Sequence, residues 1–307
     1  MDSIKYIASL VLLFLGFQLT AQNTPKTLLW RIENPAGGKP SYLYGTMHTN
    51  DDKAFRLMDS VIIALKTCDN FAEEVNLDSL NPTGLLNEIQ MPGDTTLETL
   101  LSPKDYNLLD SIVTKSLGMG LEMMGKIKPI FLAVLAEQGS DAQSKDAFLD
   151  LQLYKIARRE NKPVYGLEKI EDQLKLLNNI PLKKQAQMLV EALNESNNGK
   201  NNEMDPLIKY YNDRDLNALY KYSQADTMDF ENFSRDFVTK RNYVMASGIQ
   251  HIMKTGTVFV AVGALHLAGP EGIINILKKR GYNVQPVLSK NFLEPKDVKA
   301  MVKDTDK

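Results

Sequence analysis

Short apolar runs lie near both ends of the chain, whereas apolar residues between them recur at helical spacing. Runs bounded by Gly, Pro or polar residues predict strands, and recurrence every three or four positions predicts helices. The strands predicted on this basis are 27–33, 41–44, 70–75, 162–168, 258–262 and 283–288. Pro and Gly between the first two runs predict a hairpin, and Pro286 places the last strand at a sheet edge.

The segments with helical spacing fill most of the sequence between these strands. They are 54–66, 81–139 with breaks at prolines, 148–160, 170–194, 204–222, 230–254 and 270–280. Strands at both ends with a helical block between them predict an α/β fold. We expect a central mixed sheet with flanking helices and a large helical insertion, in one domain over residues 22–290.

The two termini differ in character from this domain. Residues 1–21 have a Lys near the start, an apolar stretch and Ala21 as a cleavage position, which is the pattern of a signal peptide. The stretch is shorter than the roughly 20 residues of a membrane span. We therefore expect export to the periplasm or the extracellular space without a membrane span, with an uncleaved anchor as the alternative. Residues 291–307 form a charged C-terminal tail, which is expected to fray after Pro295.

The amino-acid composition argues against some classes of function and of site. The 307 residues are 43% hydrophobic and 24% charged, with a formal net charge of −2, so no nucleic-acid partner is expected. Cys68 is the single cysteine, which excludes an intrachain disulfide and a Cys-rich zinc site. Its place at the end of an amphipathic helical segment favours core packing.

Two Gly-x-x-His strings follow predicted strands and are the strongest chemical signal. They are Gly45–His48 (GTMH) and Gly263–His266 (GALH), and each places a histidine just beyond the carboxyl end of a strand. Ligands bind at that edge in open α/β sheets, so we expect both ends of the chain to form one site there. A third match, Gly248–His251, lies in a helical segment, so His251 is interpreted as a hydrogen-bonded structural residue.

Four predicted strand ends carry a group able to bind a metal: His48, Glu74, Glu168 and His266. Two imidazoles with a carboxylate are typical of divalent-metal sites that leave positions open for water, as hydrolysis requires. A spare carboxylate would serve as general base. Glu73 should face away from Glu74, and we expect one of the pair to be solvated.

Other polar and sulfur-containing residues have two interpretations each. Glu168 would cap the helix that starts near Lys169, or assist in the site. Arg241 would clamp a carboxylate or oxyanion, or pair with an acid on its own helix. Asp150 would contact the site residues without contacting the metal or the substrate. The methionines Met119, Met123 and Met124 are interpreted as core or lid packing.

Five segments, in order along the chain, resemble the TraB/PrgY/GumN family, which includes the Tiki metalloproteases. They are 42–48 (YLYGTMH), 69–76 (DNFAEEVN), 148–150 with 162–168 and 173–174, 241–242, and 258–273 with 280–282. The resemblance implies a fold related to erythromycin-esterase-like and haem-uptake ChaN-like proteins. Asn76 departs from the family pattern, in which Asp is common at that position.

For the Tiki branch, the resemblance implies metal-dependent proteolysis that requires both GxxH histidines and the acidic-strand Glu. Carried over to this sequence, His48, Glu74 and His266 hold Mn, Co or Zn, and Glu168 or Arg241 assists. We therefore expect an exported metal-dependent hydrolase, a peptidase acting on peptides or proteins. The alternatives are a non-catalytic peptide- or haem-binding protein of the same fold, and a metal-free esterase that uses a histidine as base.

Overall fold

The structure is a computed structural model that describes residues 25–47, 56–79, 82–139, 149–197, 206–225 and 235–302. The predicted signal peptide and His48 lie outside the described residues.

A mixed sheet of six strands forms the centre of the fold. The strands are β1 Leu29–Glu33, β2 Ser41–Thr46, β3 Asn70–Val75, β4 Val164–Glu168, β5 Val258–Gly263 and β6 Asn283–Pro286. Their order is β4-β3-β5-β2-β1-β6, in which β4, β3, β5 and β2 are parallel and β1 is antiparallel to both of its neighbours. The α/β class, the first hairpin and the edge position of β6 are thereby confirmed.

Helices surround the sheet and form the insertion between β3 and β4. They are α1 Asp59–Thr67, α2 Pro82–Ile89, α3 Leu97–Leu100, α4 Pro103–Leu117, α5 Leu121–Met124, α6 Pro129–Gly139, α7 Leu149–Arg159, α8 Ile170–Asn178, α9 Leu182–Asn197, α10 Pro206–Asn212, α11 Leu216–Ala225, α12 Arg241–Ile252, α13 Ala264–Leu267, α14 Ile273–Lys279 and α15 Pro295–Ala300. A π-helical segment, Arg235–Lys240, leads directly into α12.

Local sequence explains where several helices begin and end. Ser102 caps α4 by accepting a hydrogen bond from the Asp105 N–H at 3.2 Å, and a proline occupies the first helical position. Gly118 ends α4 at φ 72°, a left-handed conformation that glycine adopts without strain. The helix predicted over 170–194 is divided in two around Pro181, since proline cannot continue the first helix.

Two separate hydrophobic clusters stabilise the described residues. The larger one lies on the sheet, where the rings of Phe71 and Phe259 stack with centroids 6.2 Å apart. Cys68 is buried in this cluster, as predicted. The smaller cluster joins helices of the insertion, through residues such as Leu109 and Leu132, to α9, through Leu189. The insertion therefore shares a second core with a helix that follows β4.

Two segments differ from the sequence-based expectation because of long-range packing. Residues 54 and 55 of the helix predicted over 54–66 lie outside the described residues, and residues 56–58 are not helical. The helix α1 begins at Asp59, since Met58 forms a β-bridge with Phe292. The expectation that the tail frays is wrong for residues 295–300, which form α15. Val298 on this helix is 0% exposed and belongs to the sheet core.

The methionines of the insertion follow the packing prediction only in part. Met124 is buried, whereas Met119 and Met123 are 44% and 77% exposed. No helix in the described part of the chain combines the length and the apolar character needed to cross a membrane.

Candidate functional site

Parallel register places the carboxyl ends of four strands along one edge of the sheet. Thr46 at the end of β2 is paired with Gly263 at the end of β5. Glu73 is paired with Ala261, so Glu74 lies beside the end of β5, and Val75 is paired with Glu168 on β4. The predicted meeting of the two ends of the chain is confirmed for the residues that the structure describes.

The GALH string forms a short helix rather than the simple turn that was expected. Residues Ala264–Leu267 make the four-residue helix α13 directly after β5. A Cβ atom at Gly45 would lie 3.1 Å from the Cα of Ala264, so glycine permits this close approach of the two strings. As a result His266 is turned into the edge of the sheet and is only 7% exposed.

Glu74 connects the histidine end of the site with an arginine. Its Oε1 accepts a hydrogen bond from the Gly263 N–H at 2.8 Å and lies 3.7 Å from Nε2 of His266. Its Oε2 is 2.5 Å from Nη2 of Arg241. Both carboxylate oxygens are therefore held in defined directions, which fixes the orientation of the group.

Arg241 bridges Glu74 and Glu168. Its Nε and Nη2 atoms lie 2.9 and 2.8 Å from Oε2 of Glu168. Gln173 donates from Nε2 to Glu168 at 3.2 Å and to Glu74 at 3.5 Å. Desolvation lowers the pKa of Arg241, but its hydrogen bond to Glu168 and the charge of Glu74 outweigh this and raise the pKa overall.

These contacts show how Arg241 and Glu168 are packed in the described structure. Arg241 is 5% exposed and pairs with acids of β3 and β4. The hydrogen bonds of the Glu168 carboxylate go to Arg241 and Gln173. Lys169, at the start of α8, has no side-chain cap hydrogen bond.

Asn242 orients His266, and a chain of hydrogen bonds assigns the position of the ring proton. Nδ2 of Asn242 donates to the carbonyl oxygen of Glu271 at 2.8 Å, so Oδ1 is the atom that faces Nδ1 of His266 at 2.6 Å. Because Oδ1 only accepts, Nδ1 carries the proton. Nε2 of the neutral imidazole is then left with a lone pair on the side of Glu74.

The expectation that either Glu73 or Glu74 is solvated is wrong. Neither glutamate of the pair is solvated: Glu73 is 7% exposed, and the side chain of Glu74 is 17% exposed. The charge of Glu73 is one cause of the raised pKa of Tyr154, about 12, after burial and the hydrogen bond from Tyr154 to Asp78. The two carboxylates point to opposite faces, but helices cover both faces.

A group of polar residues forms hydrogen bonds with the carboxyl end of β2. Oγ1 of Thr46, two residues before His48, donates to Oδ1 of Asp150 at the start of α7. The Tyr211 hydroxyl donates to the Gly45 carbonyl at 3.1 Å and lies 3.5 Å from the hydroxyl of Tyr44. Burial raises the pKa of Tyr44 to about 12.

Among the described residues, no group of three His, Cys, Asp or Glu side chains could hold a metal ion. Glu74 and His266, two of the three proposed ligands, are adjacent, whereas the third, His48, lies outside those residues. Two donors that each bind one ion at about 2.1 Å lie roughly 3–3.5 Å apart, close to the observed 3.7 Å. The lone pair on Nε2 suits a metal, so the donor chemistry fits.

The sequence analysis did not identify two residues of the cluster around Glu74 and His266, and its interpretation of His251 was wrong. Asn242 and Gln173 lie in segments that carry the family resemblance, but neither has a local signal for its role. His251 is exposed on α12, so it is a surface residue and not the structural residue that was expected.

Comparisons with known proteins show which family the chain belongs to. The family model of the TraB/PrgY/gumN family matches residues 28–286. Metalloprotease TIKI1 of Danio rerio is 24% identical over 87% of this chain and 64% of its own length. Metalloprotease TIKI2 of Xenopus tropicalis is 23% identical over 86% of this chain and 60% of its own length.

A bacterial relative is matched over more of its length. An uncharacterized protein of Treponema pallidum is 22% identical over 82% of this chain and 80% of its own length. The chain spans less than two thirds of the TIKI proteins named above. No solved structure shows significant similarity. Since the family model covers most of the sequence, including the ends of all four parallel strands, the chain belongs to the TraB/PrgY/gumN family.

Proposed function

We propose that the protein is an exported metal-dependent peptidase that holds Mn, Co or Zn with His48, Glu74 and His266. The observation that carries the proposal is the pair formed by Glu74 and His266 at the sheet edge, with donor atoms 3.7 Å apart. The names of the TIKI relatives support metal-dependent proteolysis. The signal-peptide pattern of residues 1–21 supports export.

Each described residue of the cluster has a distinct task in this proposal. Asn242 holds the proton of the neutral His266 ring on Nδ1, so that Nε2 is the ring atom available as a ligand. The Gly263 N–H and Arg241 hold the two oxygens of Glu74. A divalent metal ion, when bound, lowers the pKa of its water and polarises the peptide carbonyl.

Glu168 and Arg241 assist by position rather than by contact with the substrate. The Arg241 guanidinium is buried between two carboxylates, and Glu168 in turn balances its charge. This arrangement stabilises Glu74 as a carboxylate and prevents its rotation, which keeps Oε1 beside His266.

Metal content and peptide turnover of the mature protein, from residue 22 onwards, test the proposal. Purified protein incubated with Mn, Co or Zn should retain near-stoichiometric metal. The His48→Ala/His266→Ala double variant should lose it while keeping its circular dichroism spectrum. A pool of random-sequence peptides analysed by mass spectrometry should be cleaved by the loaded protein and not after chelation.

The His251→Ala variant is the matched control, because His251 is an exposed histidine in a Gly-x-x-His string outside the cluster. It should bind metal and cleave peptides like the wild type. Retention of metal by the double variant, or peptide cleavage that survives chelation, would contradict the proposed site.

A further inference from the structure

Two arginines share one aromatic ring at the same edge of the sheet. The guanidinium carbon of Arg214 lies 4.2 Å from the centroid of the Phe292 ring, and that of Arg56 lies 5.1 Å from it. Arg56 is exposed, while Arg214 and Phe292 are half-buried. An aromatic face attracts a cation and limits the planes in which a guanidinium can lie. The ring therefore contacts two positive groups, both within 5.1 Å of its centroid.

No carboxylate of the described residues forms an ion pair with either guanidinium. The two acids nearest to Arg214 in sequence have other ion-pair partners: Asp213 pairs with Lys209 at 2.8 Å, and Asp215 pairs with Lys26 at 3.2 Å. Desolvation, and to a lesser degree the charge of Arg56, lowers the pKa of Arg214. Two like charges at one ring, of which that of Arg214 is partly desolvated, are unfavourable until an anion joins them.

Several contacts place this pair beside the candidate site. The Tyr211 hydroxyl, on the same turn of chain as Arg214, donates to the carbonyl of Gly45 in the first Gly-x-x-His string. Lys26, which precedes β1 at this edge, pairs with Asp215. Phe292 follows β6 and forms a bridge with Met58. The pair thus flanks the end of β2 on the side away from Glu74.

We infer that Arg56 and Arg214 form a subsite for a carboxylate group of a peptide substrate. This inference rests on the proposed function and names a substrate class for it. Planar guanidinium groups match a carboxylate with paired hydrogen bonds, and a half-exposed location leaves them accessible to a ligand. The carboxylate is either the free C-terminus of the peptide or the side chain of Asp or Glu.

The layout of the sheet gives an approximate distance from the reacting bond. The order β3-β5-β2-β1 separates Glu74 from the arginine pair by about three strand spacings of ~4.8 Å, or roughly 15 Å. An extended peptide advances ~3.3 Å per residue, so the carboxylate would lie about four or five residues from the cleaved bond.

Binding can be measured without metal or turnover. Mature protein labelled with ¹⁵N-arginine would be titrated with three probes: acetyl-tetraalanine with a free C-terminal carboxylate, the same peptide as C-terminal amide, and the amide with aspartate as last residue. The Nε–H resonances of Arg56 and Arg214, assigned from Arg56→Gln and Arg214→Gln, should shift saturably with a carboxylate probe. The neutral amide should leave them in place.

The two carboxylate probes distinguish the source of the group. Binding of the free-acid peptide alone identifies the C-terminus, binding of the aspartate amide alone identifies a side chain, and either result supports the subsite. Each Arg→Gln variant should weaken binding at least tenfold. Arg31→Gln is the control, because exposed Arg31 already pairs with Glu33 at 2.8 Å.

Equal shifts with the neutral amide, no shift with either carboxylate, or an equal loss in Arg31→Gln would overturn the inference. Because no metal is present, these results do not depend on the peptidase proposal. A metal-binding, cleaving protein without the arginine response would disprove only the subsite. An arginine response in a protein that binds no metal would disprove only the proposed function.

Discussion

Arg241 and Arg214 are the same residue type in opposite electrostatic settings. Arg241 is buried and contacts the carboxylates of Glu74 and Glu168 at 2.5 and 2.8 Å. Arg214 is half-buried, lies over an aromatic ring and has another arginine nearby. A buried guanidinium must be neutralised by carboxylates of the protein itself. A guanidinium that reaches solvent can remain without such a partner and bind an anion from solution.

The two settings suggest a structural role for one arginine and a ligand-binding role for the other. The charge of Arg241 is balanced by two fixed carboxylates, so this residue contributes to the arrangement of the site. The charge of Arg56 and Arg214 is not balanced by an ion pair within the described residues, so their contribution would appear only when a ligand arrives. Substitutions should therefore affect stability at one arginine and binding at the other.

The largest effect is expected for Arg241→Met. It leaves Glu74 and Glu168 close together without the cation between them, and we expect the free energy of unfolding to fall by about 3–5 kcal/mol. Urea denaturation followed by circular dichroism measures this. Arg280→Met is the matched control, since among the described residues Arg280 donates its side-chain hydrogen bonds to neutral groups, on Ser247 and Gln250.

Adding Glu168→Gln to Arg241→Met should recover part of the loss, because one of the two uncompensated charges is removed. A loss below about 1 kcal/mol in the single variant would show that Arg241 does not balance buried charge, and the comparison between the two arginines would fail.

Alkaline pH should reveal the environment next to Arg214. The pKa of Tyr44 is raised to about 12 by burial, from an ordinary value near 10. Above pH 10 the unfolded chain loses this proton and the folded chain keeps it, so stability falls until about pH 12. The loss from Tyr44 alone should be about 2–3 kcal/mol, measured as the difference between wild type and Tyr44→Phe.

Arg214 opposes this rise, since its positive charge lowers the pKa of Tyr44. Arg214→Gln should therefore steepen the alkaline loss of stability, while Arg31→Gln should leave it unchanged. An identical pH dependence in Arg214→Gln and wild type would place Arg214 out of electrostatic reach of Tyr44.

The third prediction concerns the orientation of His266. Asn242→Leu removes the acceptor for Nδ1–H, and we expect metal affinity to fall about 10–100-fold, as for other partners of metal-bound histidines. Asn242→Asp retains an acceptor and should restore most of the affinity. Isothermal titration with Zn measures both variants.

A second readout does not need metal. In ¹⁵N-histidine spectra at neutral pH, wild-type His266 should show Nδ1 protonated and Nε2 bare, and Asn242→Leu should shift this pattern. His251 provides the internal control, because it lies exposed on α12. An unchanged His266 tautomer in Asn242→Leu would remove the orienting role from Asn242.

The smallest effect is expected for Arg214→Gln at neutral pH. Loss of the contact with Phe292 and relief of repulsion from Arg56 oppose each other, so the free energy of unfolding should change by less than about 1 kcal/mol. Denaturation at low and high salt checks this. A large loss would indicate that Arg214, like Arg241, is needed for the fold.

Much of the sheet was predictable because its signals are local. All six strands are apolar runs bounded by Gly, Pro or polar residues, and Glu74 and Glu168 were recognisable at their ends. His266 had a Gly before it that allows the chain to turn. These features depend only on neighbours in sequence, so pattern analysis finds them.

Features set by packing between distant segments were not predictable. Alternation along β3 correctly put Glu73 and Glu74 on opposite faces, but it could not show that helices cover both faces. The contact of Arg241 with two acids depends on how α12 packs on β3 and β4. Arg56, Arg214 and Phe292 are far apart in sequence, and nothing local to any one of them indicates the others.

The position of β5 has a consequence for how the protein folds. This strand lies at the centre of the sheet, between β3 and β2, yet it comes near the end of the chain and pairs Phe259 with Tyr42. During synthesis the β1–β2 hairpin and the β3–β4 pair emerge first, each with an open edge. The two halves can join only once residues 258–263 are available, so folding is non-local and slow. A chain truncated before Val258 would retain two unjoined pieces of sheet.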